Sequence, residues 1–237
     1  MQRESWTWTS ARLGTSARVA RWGHFGTPVL LFPTAGGGVE EVERFHLVGA
    51  ARELIDNGRI KIFSVDAIAA RTWLRGNASP EQCVTAQSQF DAYIDAEVVP
   101  LIRRDCQSDT IELIAAGAAL GAYSAVATLR RLPSVFRVAL GLSGIYDLSR
   151  FLPPESGAPA LHSLSLQNFD GSSVVRSRFV MLASGEGDYE VPTESKRMAA
   201  ALEVAHVPSR LELWGPAYAH SWNTWRAMLP KYLAAHA

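Results

Sequence analysis

The segment Ile111–Tyr123, IELIAAGAALGAY, joins an apolar strand to a helix through a run of small residues. Ile111 to Ala115 is short, apolar and bounded by small residues, the pattern of a buried strand. Tyr123, Ala125, Val126 and Leu129 then continue a helix. Between them, Gly117-Ala118-Ala119-Leu120-Gly121 keeps the two outer glycines of G-x-S-x-G and carries Ala119 where that pattern has serine. In such an elbow the central side chain stands on a sharp strand-to-helix turn, and the flanking positions must be glycine so that backbone and helix can approach. Taken alone, the five residues describe an ordinary α/β junction equally well. The surrounding chain has to decide.

Outward from this segment, the sequence alternates strands with helices. Residues 3–9 and 17–22 mix Trp, Val and Thr with polar residues in near alternation, predicting an antiparallel opening pair. Pro28–Phe32, Ile60–Val65, Val135–Leu142, Arg178–Ala183 and Arg210–Trp214 read as further short strands, several almost continuously apolar, as strands covered on both faces are. Phe90, Tyr93, Ile94, Val98 and Leu101 share a helix face, with Pro100 placed to kink or end it. Met198, Leu202 and Ala205 mark another helix. Trp222, Trp225, Leu229, Tyr232 and Leu233 mark a last one, which contains Pro230. This βα alternation predicts a mostly parallel sheet with helices on both faces, and ligands then sit beyond the carboxyl ends of the strands.

Composition narrows the partners. Lys plus Arg and Asp plus Glu both number 23 in 237 residues, so the chain is neutral and offers no overall field for nucleic acid or an anionic membrane. With 48% hydrophobic residues and no repeat or low-complexity tract, residues 1–237 read as a single domain. The only two cysteines, Cys83 and Cys106, have neither the number nor the spacing of a metal site or disulfide framework, and both read as buried thiols. The longest apolar run, Leu113–Tyr123, is too short to span a bilayer, and no signal-peptide pattern follows Met1, so a cytoplasmic protein is expected.

Three loops at strand ends carry candidate chemistry. After Pro28–Phe32, Pro33-Thr34-Ala35-Gly36-Gly37-Gly38 exposes backbone N–H groups beside small side chains. A phosphate-cradling loop is the weaker rival there, because Val39 and Glu40 follow the glycines where a Lys is required. After Arg178–Ala183, Ser184-Gly185-Glu186-Gly187-Asp188-Tyr189-Glu190 supplies three carboxylates. After Arg210–Trp214, Gly215-Pro216-Ala217-Tyr218-Ala219-His220 ends at a histidine before the last helix. Elbow, acid and histidine thus follow one another in chain order.

On these residues the chain resembles the esterase family of the α/β-hydrolase superfamily, which includes esterase D, feruloyl esterases and mycolyltransferases. Six stretches carry the resemblance: PVLLFPTAGG (28–37), FSVDAIAARTW (63–73), EVVPLI (97–102), GAALGAYSA (117–125), LSGIYDL (142–148) and LWGPAYAHSWNTW (213–225). The resemblance implies an α/β-hydrolase fold and a serine-esterase mechanism that needs no metal or organic cofactor. It implies His220 as general base, Glu190 as its acid with Asp188 the alternative, and Ala35 and Leu120 N–H as oxyanion donors. It also implies Trp73 and Tyr146 near the substrate. The long connection 147–177, with Pro153, Pro154 and Pro159, is expected to form a small cap.

Ala119 departs from the family at the atom the chemistry depends on. Losing a catalytic serine costs about 10⁶ in turnover in subtilisin, so this chain is expected to be almost inactive. Two readings follow: an engineered Ser-to-Ala form of an esterase, or a natural non-catalytic relative that binds without cutting. An acyltransferase on the same scaffold would differ only in the second nucleophile. Ser124 and Ser143 are poor substitutes. Ser124 lies about one helical turn past the elbow, roughly 5 Å from the expected nucleophile position. The expected substrate is an uncharged or aromatic ester, small or oligomeric, and nothing in the sequence sets the oligomeric state.

Overall fold

The computed structural model describes residues 2–151, 165–166 and 172–237. Its strands are β1 (Arg3–Thr9), β2 (Ser16–Trp22), β3 (Thr27–Phe32), β4 (Ile60–Val65), β5 (Leu113–Ala118), β6 (Phe136–Leu142), β7 (Phe179–Ser184) and β8 (Ser209–Leu213). They form one eight-stranded sheet in the order β1-β2-β4-β3-β5-β6-β7-β8. β2 is antiparallel to both of its neighbours, while the pairs from β4 through β8 are all parallel. This is the α/β-hydrolase architecture the sequence implies. The chain leaves β3 for β4 on one side and returns to β5 on the other, so the order reverses at β3 and β5. Crevices open at the carboxyl ends of strands where the order reverses.

The helices are α1 (Glu41–Arg44), α2 (Leu47–Ala50), α3 (Arg52–Asp56), α4 (Ile68–Trp73), α5 (Pro80–Tyr93), α6 (Val99–Asp105), α7 (Leu120–Arg131), α8 (Pro192–Val204) and α9 (Trp222–His236). They divide between the faces because successive residues of a buried strand point to opposite sides. Leu113 and Ala115 of β5 pack with Phe90, Tyr123, Met198 and Leu202 of α5, α7 and α8. Ile114, Ala116 and Ala118 pack on the other face with Val48, Ile55, Met228 and Leu229 of α2, α3 and α9. The helices α1 to α4 are too short to leave a periodic signal.

Two details depart from the sequence reading. The strand expected at Ile111–Ala115 runs instead from Leu113 to Ala118, because Gly117 and Ala118 go on pairing with Gly141 and Leu142 of β6. Residue 119 is therefore the first after the strand. The helix around Pro100 widens into a π-helical turn, Ile94–Val98, rather than ending. Pro100 has no N–H to give to a carbonyl in the preceding turn, and the wider turn accommodates that loss. The same turn directs the Glu97 carboxylate to Trp8 Nε1–H at 2.6 Å, Ser10 Oγ–H at 2.8 Å and Arg12 N–H at 3.0 Å, tying the first hairpin down. Pro230 lies inside α9 without ending it. Cys83 is buried, while Cys106 is only partly so.

No helix of the described residues is long and apolar enough to cross a membrane. Most of the cap expected over 147–177 falls on residues 152–164 and 167–171, outside the described residues.

Candidate active site

Ala119 sits between the last residue of β5 and the first of α7 at φ 52°, ψ −119°, a conformation that side-chain-bearing residues rarely adopt. Its N–H donates to Leu142 O at 3.0 Å, and its carbonyl accepts from Ala122 N–H and Ile145 N–H, both at 3.2 Å. The two glycines have no room for a side chain. A Cβ on Gly117 would lie 2.2 Å from Gly121 O, and one on Gly121 would lie 2.5 Å from Pro33 O. Ala119 keeps 8% of its surface accessible, against 1% for Ala118 and none for Ala116, so the turn lifts it to the edge of the core.

The glycine loop after β3 is fastened to this elbow. Gly121 N–H donates to Thr34 O at 3.1 Å. The buried Glu41 carboxylate accepts Thr34 N–H at 2.7 Å and Thr34 Oγ1–H at 2.9 Å. A Cβ on Gly37 would fall 1.9 Å from that carboxylate, so glycine is required for Glu41 to enter the loop. On the other flank, the buried Asp66 accepts Val39 N–H at 3.0 Å and is paired with Arg18 at 2.9 Å. Arg71 Nε–H donates to Gly36 O at 3.0 Å. Thr34 N–H is consumed by Glu41, which makes exposed Ala35 the next backbone donor along the loop. Leu120 N–H opens α7 and is one of the donors a helix leaves without an intrahelical partner.

The acid loop after β7 and the histidine loop after β8 meet through glycine as well. A Cβ on Gly185 would lie 1.8 Å from Tyr218 O. Glu190 Oε2 faces His220 Nδ1 at 3.4 Å, with the carboxylate 1% exposed and the imidazole 23% exposed. Ser143 Oγ–H donates to Glu190 Oε1 at 2.5 Å, Gly185 N–H to the same oxygen at 3.3 Å, and Ser184 Oγ–H to Oε2 at 3.3 Å. Burial alone would push the Glu190 carboxyl up. The hydrogen bonds from His220 and Ser143, the His220 charge and the Gly185 N–H outweigh it and hold the carboxyl below the ordinary range. Asp188 touches the histidine only through its backbone, its carbonyl accepting His220 N–H at 2.9 Å. The His220 ring stands edge-on to Trp225, centroids 5.0 Å apart at 88°.

These contacts form a continuous path: Ala119 N–H to Leu142, Leu142 to its neighbour Ser143, Ser143 to Glu190, and Glu190 to His220. Trp73 and Tyr146 do not belong to it. Trp73 is 3% exposed and stands edge-on to Tyr123, while Tyr146 is fully buried over Gly141 and Gly144. Both are packed in the core, away from the Glu190–His220 pair's own hydrogen bonds. The sequence singled out neither Glu41 nor Asp66, and it offered Ser143 only as a poor substitute nucleophile and Ser184 only as the start of the acid loop. Each is a single polar residue at a strand end or in a short helix, and only the folded chain brings it to its partner.

Residues 61–237 match the model of the family described as "Putative esterase". No curated protein sequence matches the chain. Among solved structures, the chain is similar to a ferulic acid esterase at TM-score 0.75 and 16% identity, covering 98% of this chain and 96% of that one. It is also similar to an S-formylglutathione hydrolase from Agrobacterium tumefaciens at TM-score 0.72 and 15% identity, covering 99% and 94%. MPT51 of Mycobacterium tuberculosis superposes at TM-score 0.72 and 16% identity, covering 99% and 97%. At these identities the likeness is one of fold.

Proposed function

The chain belongs to this esterase family, and from that premise we propose that it is a serine-type carboxylic ester hydrolase in inactive form, Ala119 standing where the nucleophilic serine acts. The observation that carries the reading is the elbow backbone at φ 52°, ψ −119°, kept at Ala119 with both clash-enforced glycines beside it. A bare strand-to-helix junction has no reason to hold an alanine in that conformation. The Glu190–His220 pair joined to the elbow through Ser143 supports it further.

With serine at 119, the mechanism follows from the groups around it. Glu190 accepts the Nδ1–H of His220, which leaves Nε2 unprotonated to take the hydroxyl proton as Oγ attacks the ester carbonyl. Backbone N–H of Leu120 and Ala35 stabilise the oxyanion. The tetrahedral adduct then breaks its bond to the alcohol, which leaves with the proton from His220. Water, deprotonated by the same imidazole, releases the acid and regenerates the serine. Apolar or aromatic esters fit the neutral chain best as substrates.

The test is the substitution Ala119→Ser, with hydrolysis of a short-chain aryl ester measured beside the unaltered protein. A gain of at least about 10³-fold is expected, given the cost of a missing serine. A folded variant with no gain would contradict the esterase reading. The second reading, a natural non-catalytic binding protein, is favoured by one observation: Ala119 belongs to the apolar cluster that holds Trp225. The codon at position 119 of the natural gene separates the two, serine for the engineered form and alanine for the binding protein.

A further inference from the structure

Ser143 touches the proposed machinery, and the mechanism above leaves it without a task. It follows β6 directly, and its backbone sits at φ 46°, unfavourable for a side-chain-bearing residue. Its N–H donates to Ala183 O at 2.7 Å, which fastens the end of β6 to the end of β7. The side chain is 3% exposed, and its hydroxyl reaches Glu190 Oε1 at 2.5 Å. The other carboxylate oxygen, Oε2, is the one that faces His220 Nδ1.

A carboxylate on the flexible Glu side chain has free rotations that would turn Oε2 away from the imidazole. Ser143 removes them from the side opposite His220, and Gly185 N–H closes on the same oxygen at 3.3 Å. Ser184 shares its one hydroxyl proton between Gly185 O at 3.0 Å and Oε2 at 3.3 Å, so it acts only weakly, and on the oxygen that faces His220. Ser143 is therefore the strongest neutral donor held on the far oxygen, and it comes from a different strand than the loop carrying Glu190. We propose that Ser143 is a positioning residue: its hydroxyl clamps Glu190 Oε1 so that Oε2 stays aligned with His220 Nδ1. The inference rests on the esterase reading for its kinetic consequence, but not for its structural one.

Two measurements test it. The first needs no nucleophile. In the protein as it stands, the Nδ1–H proton of His220 is followed by NMR, and Ser143→Ala and Ser143→Gly are compared with it. Glycine removes the hydroxyl while relieving the backbone at φ 46°, so it guards against an effect of strain. Both variants are expected to broaden that proton resonance or move it upfield while the remaining amide spectrum is unchanged. An unchanged His220 Nδ1–H in both would overturn the proposal.

The second measurement uses Ala119→Ser as the parent. Adding Ser143→Ala is expected to lower kcat by about 10- to 100-fold, the worth of one hydrogen bond to a charged group, with KM unchanged. In a parent that also carries Glu190→Gln, the same change is expected to cost less than about threefold, because residues acting as a unit are not additive. An equal loss in both parents, or a change in KM alone, would show that Ser143 does not act through Glu190. If Ala119→Ser itself stays inactive, the esterase reading fails, and the NMR comparison still decides the role of Ser143.

Discussion

An alanine at φ 52° and ψ −119° stores strain that no hydrogen bond of its own side chain repays. Such backbone costs roughly 1–3 kcal/mol and persists only where the surroundings over-determine it. Here they do, through the Leu142 and Ile145 hydrogen bonds and the glycines on either side. Ala119→Gly is therefore expected to raise stability by about 1 kcal/mol, strain relief exceeding the extra chain entropy of glycine. Ala119→Ser is expected to change it by less than about 0.5 kcal/mol, since serine adds one oxygen at the edge of the core. Urea unfolding of the three proteins checks both. Ala119 was legible only through its neighbours: an alanine carries no chemical signal, but Gly117 and Gly121 at spacing four do. Glu190 and His220 were legible because they are reactive types at strand ends. Ser143 was read only as a poor substitute nucleophile, because a serine after a strand shows no acid partner until Glu190 is folded onto it.

At the scale of elements, the site is a junction of three loops that glycines allow to touch. Gly121 is the critical contact, since its missing side chain lets α7 approach the end of β3 and its N–H holds Thr34. Gly121→Ala is expected to destabilise the protein by about 1–3 kcal/mol through overpacking. In the Ala119→Ser parent it should also lower kcat, because the clash with Pro33 O displaces the loop bearing Ala35. Thermal unfolding and ester hydrolysis measured together check this, and a variant of unchanged stability would contradict the close approach. Six strands could be read from apolar runs and the opening pair from near alternation, but the end of β5 could not. Alanine and glycine have low strand preference, and only pairing with Gly141 and Leu142 keeps residues 117 and 118 in the sheet. The π-helical turn was hidden for a related reason: Pro100 signals a break, and the Glu97 contacts that make a wider turn worthwhile come from the first hairpin.

Across the whole molecule, strand order decides where chemistry can occur. The reversal at β3 and β5 sets the Ala35 loop beside the elbow, while β6, β7 and β8 bring Ser143, Glu190 and His220 in from the other side. Asp91 on α5 is a titratable group outside the site. Burial raises its carboxyl to about 6, although Arg131 and Gln87 pull the other way. A raised carboxyl means that the folded state holds its proton more tightly, so stability is greatest below the unfolded value and is lost as pH rises through about 4 to 6. Relative to Asp91→Asn, the protein should lose stability on the order of 2–3 kcal/mol across that window. Urea unfolding of both proteins from about pH 4 to pH 7 reads this difference directly. The most direct test of the central claim is intact-mass analysis of Ala119→Ser after exposure to an aryl phosphonate ester. One covalent adduct on residue 119, absent from the unaltered chain and lost with His220→Ala, is the predicted result. A folded Ala119→Ser protein that takes up no phosphonate, or takes it up at another residue, would contradict it.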